Sequence, residues 1–140
     1  MLAPLFATPS VTFYSLQVPP APELAGEARA IPGLIDLAGG LLDFADTAQA
    51  IMQLDLVISV DTSLAHLAGA LGKPAWVLLP FAPDWRWLLH REDSPWYPTL
   101  RLFRQPAPGD WASVVKQLGI ALRSPSLSAD AKVLARPADK

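Results

Sequence analysis

The chain has 140 residues, 51% of them hydrophobic, enough to bury one substantial core and too few for two full domains. Eleven basic residues against thirteen acidic ones leave a net charge of −2, which argues against broad attraction to nucleic acid or anionic lipid. The absence of cysteine excludes disulfides and thiolate metal sites, and with only His66 and His90 a histidine-rich metal centre is not expected. The first residues lack a basic segment followed by a sustained apolar run, and no apolar stretch approaches bilayer-spanning length, so a soluble, cytoplasmic protein is expected.

Val11-Thr-Phe-Tyr-Ser-Leu-Gln-Val18 is rich in β-branched and aromatic residues and halts at Pro19-Pro20, which predicts a strand and then a proline-rich loop up to Gly33. Leu34-Ile-Asp-Leu37 suits a short second strand, and Gly39-Gly40 breaks regular structure just past it. Across residues 43–54 the spacing of Phe44, Ala48, Ile51 and Met52 predicts a helix with those four on one face, capped by Asp43 or Asp46. Leu56-Val-Ile-Ser-Val60 reads as a strand buried on both faces of a parallel sheet. Residues 61–72 open with capping residues and close at Gly72-Lys-Pro74, the pattern of a helix, and residues 74–79 form the next buried strand.

Strand, helix and strand make one right-handed βαβ unit, so the predicted class is α/β, a single Rossmann-like domain on a parallel sheet. Residues 80–98 form a long connection holding Phe81, Trp85, Trp87, Trp96 and Tyr97, and connections of that length often carry function. Residues 99–104 alternate as a strand, and residues 110–122 read as a capped amphipathic helix. The composition after Arg123 turns to Ser, Ala, Pro and Lys, which predicts a domain over residues 1–123 and a poorly ordered tail over 124–140.

In an open parallel sheet, ligands gather beyond the carboxyl ends of the strands, where Asp61, Thr62 and Ser63 fall. Free amides at the start of the adjoining helix, its dipole and the Thr62 and Ser63 hydroxyls suit a phosphate or diphosphate. Thr62 and His66, four residues apart, share a helix face, and Asp61 is able to accept hydrogen bonds from sugar hydroxyls. By spacing alone the plainer reading is the stronger: Asp61 as a helix cap and His66 as a satisfied, half-buried histidine. The chain has neither G-x-G-x-x-G nor G-x-x-x-x-G-K-[ST], which counts against a nicotinamide dehydrogenase and a P-loop nucleotidase.

Taken whole, Asp43-Phe-Ala-Asp-Thr-Ala together with Leu54-Asp-Leu-Val-Ile-Ser-Val-Asp-Thr-Ser-Leu-Ala-His-Leu-Ala-Gly-Ala-Leu-Gly-Lys-Pro74 resembles the carboxyl-terminal half of heptosyltransferase-like, family 9-like glycosyltransferases. Leu79-Pro-Phe-Ala-Pro-Asp-Trp-Arg-Trp-Leu88, Asp93-Ser-Pro-Trp-Tyr-Pro98 and Leu102-Phe-Arg-Gln105 are similar to the bacterial branch in which this domain is linked to tetratricopeptide repeats on its amino-terminal side. The resemblance implies the GT-B architecture, two Rossmann-like halves facing across a cleft, with only the donor half in this chain. It further implies that Asp61, Thr62, Ser63 and His66 meet the donor diphosphate and sugar, that Gln17 is a weaker phosphate-side candidate, and that Phe44 and Asp46 lie near the nucleoside.

The implied reaction is inverting transfer of a sugar from a nucleoside diphosphate to an acceptor hydroxyl, with no metal and no cofactor besides the nucleotide sugar. No catalytic residue is assigned, because the general base is expected in the other half, and the isolated chain is expected to turn over little or nothing. Ser63 departs from the family, which typically has glycine there, and Pro19-Pro20 remove two amide donors near Gln17. Trp85 and Arg86 are candidates for sugar or acceptor contacts, weighed against tryptophans as packing anchors of the loop.

His90, Arg91, Glu92 and Asp93 read as a solvated charge cluster, and Trp96, Tyr97, Trp111 and Leu118 as core or interface. The expected partners are a nucleotide sugar and, for a fragment, an amino-terminal acceptor half or tetratricopeptide-repeat domain. An uncovered cleft face would also leave room for self-association. The alternative from another class is a non-catalytic nucleotide- or protein-binding module of the same fold.

Overall fold

Leu56-Val-Ile-Ser-Val60 shows no polar alternation because both of its faces are covered: Leu56 and Ile58 enter one core, and Val57 enters the other. The computed structural model describes residues 2–17 and 32–124, and the backbone of residues 131–135. Its strands are β1 (Val11–Ser15), β2 (Leu34–Asp36), β3 (Leu56–Val60), β4 (Ala75–Leu79), β5 (Leu100–Arg104) and β6 (Ala131–Ala135). They form one sheet in the order β2-β1-β6-β3-β4-β5, every neighbouring pair parallel. The helices are α1 (Phe44–Met52), α2 (Ser63–Ala70) and α3 (Trp111–Leu122). The α/β class and the Rossmann-like arrangement are as the sequence predicts.

The two cores arise from the period of the strands. Leu78 of β4 and Phe103 of β5 join Leu56 and Ile58 beneath α3, whose Val114, Val115, Leu118 and Leu122 cover that side with Leu2 and Leu5. Val77 and Leu79 of β4 and Leu100 and Leu102 of β5 join Val57 on the other side, covered by Ile51 and Leu54 and by Leu64, Ala65 and Ala68 of α2. Burying one such Leu or Val stabilises the fold by about 1.5–3 kcal/mol. α2 stops because Gly72 adopts φ +68° and the Lys73 amide then reaches back to the Ala68 carbonyl at 3.0 Å.

Four expectations are corrected. Residues 131–135 are not part of a structureless tail: they form β6, with Ala131 beside Val11 of β1 and Val133 beside Leu56 of β3. A five-residue run of mostly apolar residues is lost in a composition window rich in Ser, Ala, Pro and Lys, and only the pairing reveals it. On α1 the predicted apolar face is buried at Ile51 alone, while Phe44 and Met52 are 65% and 54% exposed. That helix packs against α2 and enters the core through Ile51, while among the described residues its Phe44 end stays largely uncovered. Thr62, not Asp61, is the N-cap of α2, because the Asp61 side chain turns away toward His66 and Arg86. The strand read as reaching Val18 ends at Ser15; the proline-rich stretch 18–31, Pro19 and Pro20 included, lies outside the described residues.

α3 illustrates capping with a pH consequence. Asp110 accepts from the Ser113 amide at 3.0 Å and from its hydroxyl at 2.7 Å, and these bonds hold its carboxyl below the usual carboxylate range. A depressed carboxylate contributes stability that is present above its unfolded pKa and is lost as pH falls through the folded value. The urea midpoint of the wild-type chain is therefore expected to fall more steeply below about pH 4 than that of Asp110→Asn, whose amide does not titrate. Equal acid slopes would show that this cap contributes nothing to the pH dependence.

Candidate functional site

Because all strands run the same way, their carboxyl ends share one edge, and the β3–α2 turn, Gln17 after β1 and the start of the β4–β5 connection meet there. The turn opens α2 with Thr62 in an extended conformation and no side chain bonded to the first-turn amides. The other two helices differ: Asp43 accepts from the Ala45 and Asp46 amides at 2.8 and 2.9 Å, and Asp110 accepts from Ser113. The Thr62 hydroxyl is instead 3.1 Å from the Ser59 hydroxyl, and Ser63 is exposed. The α2 amides thus keep their positive dipole end open at the sheet edge.

On one flank of that turn, His66 is held from three sides. Its Nε2 is 3.5 Å from Asp61 Oδ1, its Nδ1 is 3.2 Å from the Tyr97 hydroxyl, and its ring stacks on Trp87 at 5.4 Å and 27°. In the neutral ring this geometry puts the proton on Nε2, facing the carboxylate, and leaves Nδ1 to accept from Tyr97. Arg86 Nη2 is 4.0 Å from Asp61 Oδ2, and Arg86 Nε is 3.2 Å from Asp84. His66, Trp85, Arg86, Trp87, Trp96 and Tyr97 line an open cleft of about 620 Å³. Neither reading of Asp61 and His66 from spacing holds unchanged: His66 is satisfied, but its partners are Asp61 and a tyrosine 31 residues further along the chain.

The opposite flank carries a second cleft of about 410 Å³, lined by Leu16, Leu41, Leu42, Asp43, Phe44, Thr47, Ser63 and Leu64. Phe44 lines it. Asp46 does not: its carboxylate accepts from the Leu42 amide at 3.0 Å, and its own backbone amide donates to Asp43 Oδ1 at 2.9 Å. Gln17 is half-buried just past β1, its amide 3.3 Å from the Ser15 hydroxyl. Trp85 is 72% exposed, whereas Trp87 is fully buried, so the two tryptophans split between a surface wall and a packing anchor.

The connection is rigidly tied. Arg104 Nη2 donates to the Trp87 and Leu88 carbonyls at 3.3 and 2.8 Å, and burial lowers its pKa from the ordinary guanidinium value. Gln105 Oε1 accepts from the Phe81 and Gly109 amides, the Ser94 hydroxyl accepts from the Trp96 and Tyr97 amides, and Trp96 Nε1 donates to the Arg86 carbonyl at 2.9 Å. Leu88 and His90 adopt φ of +51° and +59°, sparsely populated for such residues. Tyr97, read from sequence as core or interface, lines the cleft and bonds His66, and Trp96 is 57% exposed in the cleft. The Ser94-x-Trp96 spacing, able to form a side-chain turn, is the one local signal for this arrangement. The charge cluster at 90–93 lies at the surface as the sequence predicts, with His90, Glu92 and Asp93 exposed, Arg91 paired to Asp93 and Glu92 to Arg101.

These elements lie within or beside a recognisable stretch. Residues 19–78 match the family model of glycosyltransferase family 9 (heptosyltransferase). The family 9 match takes in α1, β3 and α2, including Asp61 through His66, and stops before the aromatic connection. The chain is also 34% identical over 127 residues to Protein FlbA of Caulobacter vibrioides, a match covering 86% of this chain and 20% of that protein. The chain thus spans only a fifth of the length of this relative. No solved structure matches it. Among the described residues no helix is long and apolar enough to cross a membrane, and no cluster of three or more His, Asp or Glu is disposed to hold a metal ion.

Proposed function

We propose that this chain binds the nucleoside-diphosphate-sugar donor of a metal-independent, inverting glycosyltransferase, with the diphosphate against the opening turn of α2. The observation that carries the reading is that turn, set between two clefts with its amides free of any side-chain cap, inside the stretch that matches glycosyltransferase family 9. Amides and the Thr62 and Ser63 hydroxyls would stabilise charge growing on the departing diphosphate, already oriented before reaction. The nucleoside is assigned to the cleft beside Phe44, with Asp46 acting through the backbone at Leu42 and Gln17 at its phosphate side. Asp61 and His66, with Trp85 and Arg86 beyond them, face the sugar. The general base belongs to an acceptor half outside this chain, with tetratricopeptide repeats as the proposed linked domain.

Calorimetric titration with UDP, GDP and ADP tests the reading. One diphosphate is expected to bind, and Thr62→Ala and Ser63→Ala together are expected to weaken it by about a hundredfold, the loss of two hydrogen bonds to a charged group at about 1.5 kcal/mol each. Asp61→Ala is expected to leave the bare diphosphate unaffected or slightly tighter, because it removes a negative charge. Absence of binding to every diphosphate by a folded chain would overturn the proposal. The second reading, a non-catalytic binding module, is favoured by the exposure of Trp85 and Trp96; sugar transfer on adding an acceptor half in trans would rule it out.

A further inference from the structure

Strand β6 is the last in sequence order, yet it is internal to the sheet. It pairs with β1 from Ala131 to Leu134 and with β3 from Val133 to Ala135, and among the described residues no pairing joins β1 to β3 directly. Without β6 the hydrogen-bonded sheet divides into β2-β1 and β3-β4-β5. We propose that the slot between β1 and β3 is a dimerisation site, in which residues 131–135 of a second copy take the place of the chain's own and the exchange is reciprocal. This goes beyond the donor reading and does not depend on it.

The walls of the slot define what fits it. Phe13 of β1 and Leu56, Val57 and Ile58 of β3 are all buried, Phe13, Leu56 and Ile58 in one core and Val57 in the other, so both faces of the sheet are covered here. A strand entering such a place has to be apolar on both sides and to satisfy two ladders of backbone groups at once. Ala131-Lys-Val-Leu-Ala135 is apolar but for Lys132. The outer edges offer no equivalent. On β5 the Leu102 amide donates to the Glu92 carbonyl at 2.7 Å and Asp93 bridges Arg101, while β2 is only three residues long.

The slot is indifferent to the origin of its strand. In the doubly wound order 3-2-1-4-5-6 the place between strands 2 and 4 belongs to the first strand, whereas here the last strand fills it. The ladders hold β6 through backbone groups of β1 and β3. The same five residues from another molecule, in the same register, make the same bonds, and only the course of the link between α3 and β6 changes. Every copy carries both the slot and the strand that fits it, so the exchange closes as a symmetric pair.

The join also bears on the candidate site. The cleft beside Phe44 takes Leu16 from the β1 side and Ser63 and Leu64 from the β3 side, so β6 is the strand that ties its two walls together. In an exchanged dimer each cleft is completed by a strand of the other copy.

Sedimentation velocity over a concentration series tests this with the full chain, a variant lacking Ser126-Leu127-Ser128, Val133→Pro and Val133→Ala. The wild-type chain is expected to pass from 15.1 kDa to twice that mass as concentration rises. The deletion is expected to lower the concentration at half-association by at least about tenfold, because a shortened link reaches its own slot poorly while the slot of a second copy stays open to it. Val133→Pro removes an amide inside the slot and is expected to abolish the dimer, which Val133→Ala keeps. When nitrogen-labelled and carbon-labelled copies are refolded together, isotope-filtered NOEs are expected to connect β6 of one copy to β3 of the other. Should Val133→Pro fail to fold, the deletion variant and the NOEs decide. A monomer at every concentration for both the wild-type chain and the deletion variant overturns the proposal. So does a dimer whose β6 NOEs all stay within one copy, which would assign the contact to another surface.

Discussion

Trp87→Ala is expected to lower the unfolding free energy by about 3–5 kcal/mol, the range for deleting a fully buried large aromatic. Against a typical total of about 5–15 kcal/mol that is enough to leave a sizeable unfolded fraction at moderate temperature. Trp87 is the largest of the fully buried side chains, and it packs with Val57, Val77 and Leu79 in the core beneath α2. The same substitution removes the ring on which His66 stacks, a contact worth about 0.5–1.5 kcal/mol in comparable aromatic pairs.

Trp87→Phe separates the cavity from the polar cost. Among the described residues Trp87 Nε1 is buried without a hydrogen-bond partner, and such a group costs about 1–3 kcal/mol. Phenylalanine keeps most of the volume and discards that donor, so its loss is expected to be well under half that of alanine. Urea denaturation of the three proteins checks this. A Trp87→Ala loss below about 1 kcal/mol would mean that the ring is not packed as described.

Gly69→Ala is expected to damage both stability and the site. A Cβ at Gly69 would stand 2.5 Å from Tyr97 Cγ and 2.7 Å from Cδ1, far inside van der Waals contact, so the ring or the helix must move. Overpacking of this kind costs about 1–3 kcal/mol. Movement of the ring breaks its 3.2 Å bond to His66, leaving Nδ1 unpaired and the imidazole free to turn from Asp61. Gly72→Ala is the control: no atom lies within 4 Å of its added Cβ, but its φ of +68° strains alanine by about 1–2 kcal/mol. Both variants are expected to lose stability, and only Gly69→Ala to shift the His66 ring-nitrogen NMR signals. Unchanged His66 signals in Gly69→Ala would show that Tyr97 does not hold the histidine.

How much of the fold and the site is legible in the sequence depends on the range of the interaction. β3, β4, β5, α2 and α3 each announce themselves within a dozen residues, because the period of burial and the caps are local properties. Asp61, Thr62, Ser63 and His66 stand out for the same reason: a helix opening after a buried parallel strand sits at the edge where ligands bind. The direction of each side chain is not local. Asp61 has the spacing of a cap, yet Arg86 and His66 draw it away, and Asp46 has the place of a ligand, yet it accepts from the Leu42 amide just before its own helix.

The sequence by itself determined the α/β class, the βαβ unit around Asp61 and the presence of a long aromatic connection, since all three rest on pattern, capping and turn chemistry along the chain. Only the tertiary structure decided that Tyr97 and Trp87 clamp His66, that Arg104 and Gln105 fix the connection, and that 131–135 enters the sheet between β1 and β3. Each of those joins residues far apart in the chain. Such pairings depend on how the connection lies along α2 and how the strands are ordered in the sheet, and no local spacing encodes either.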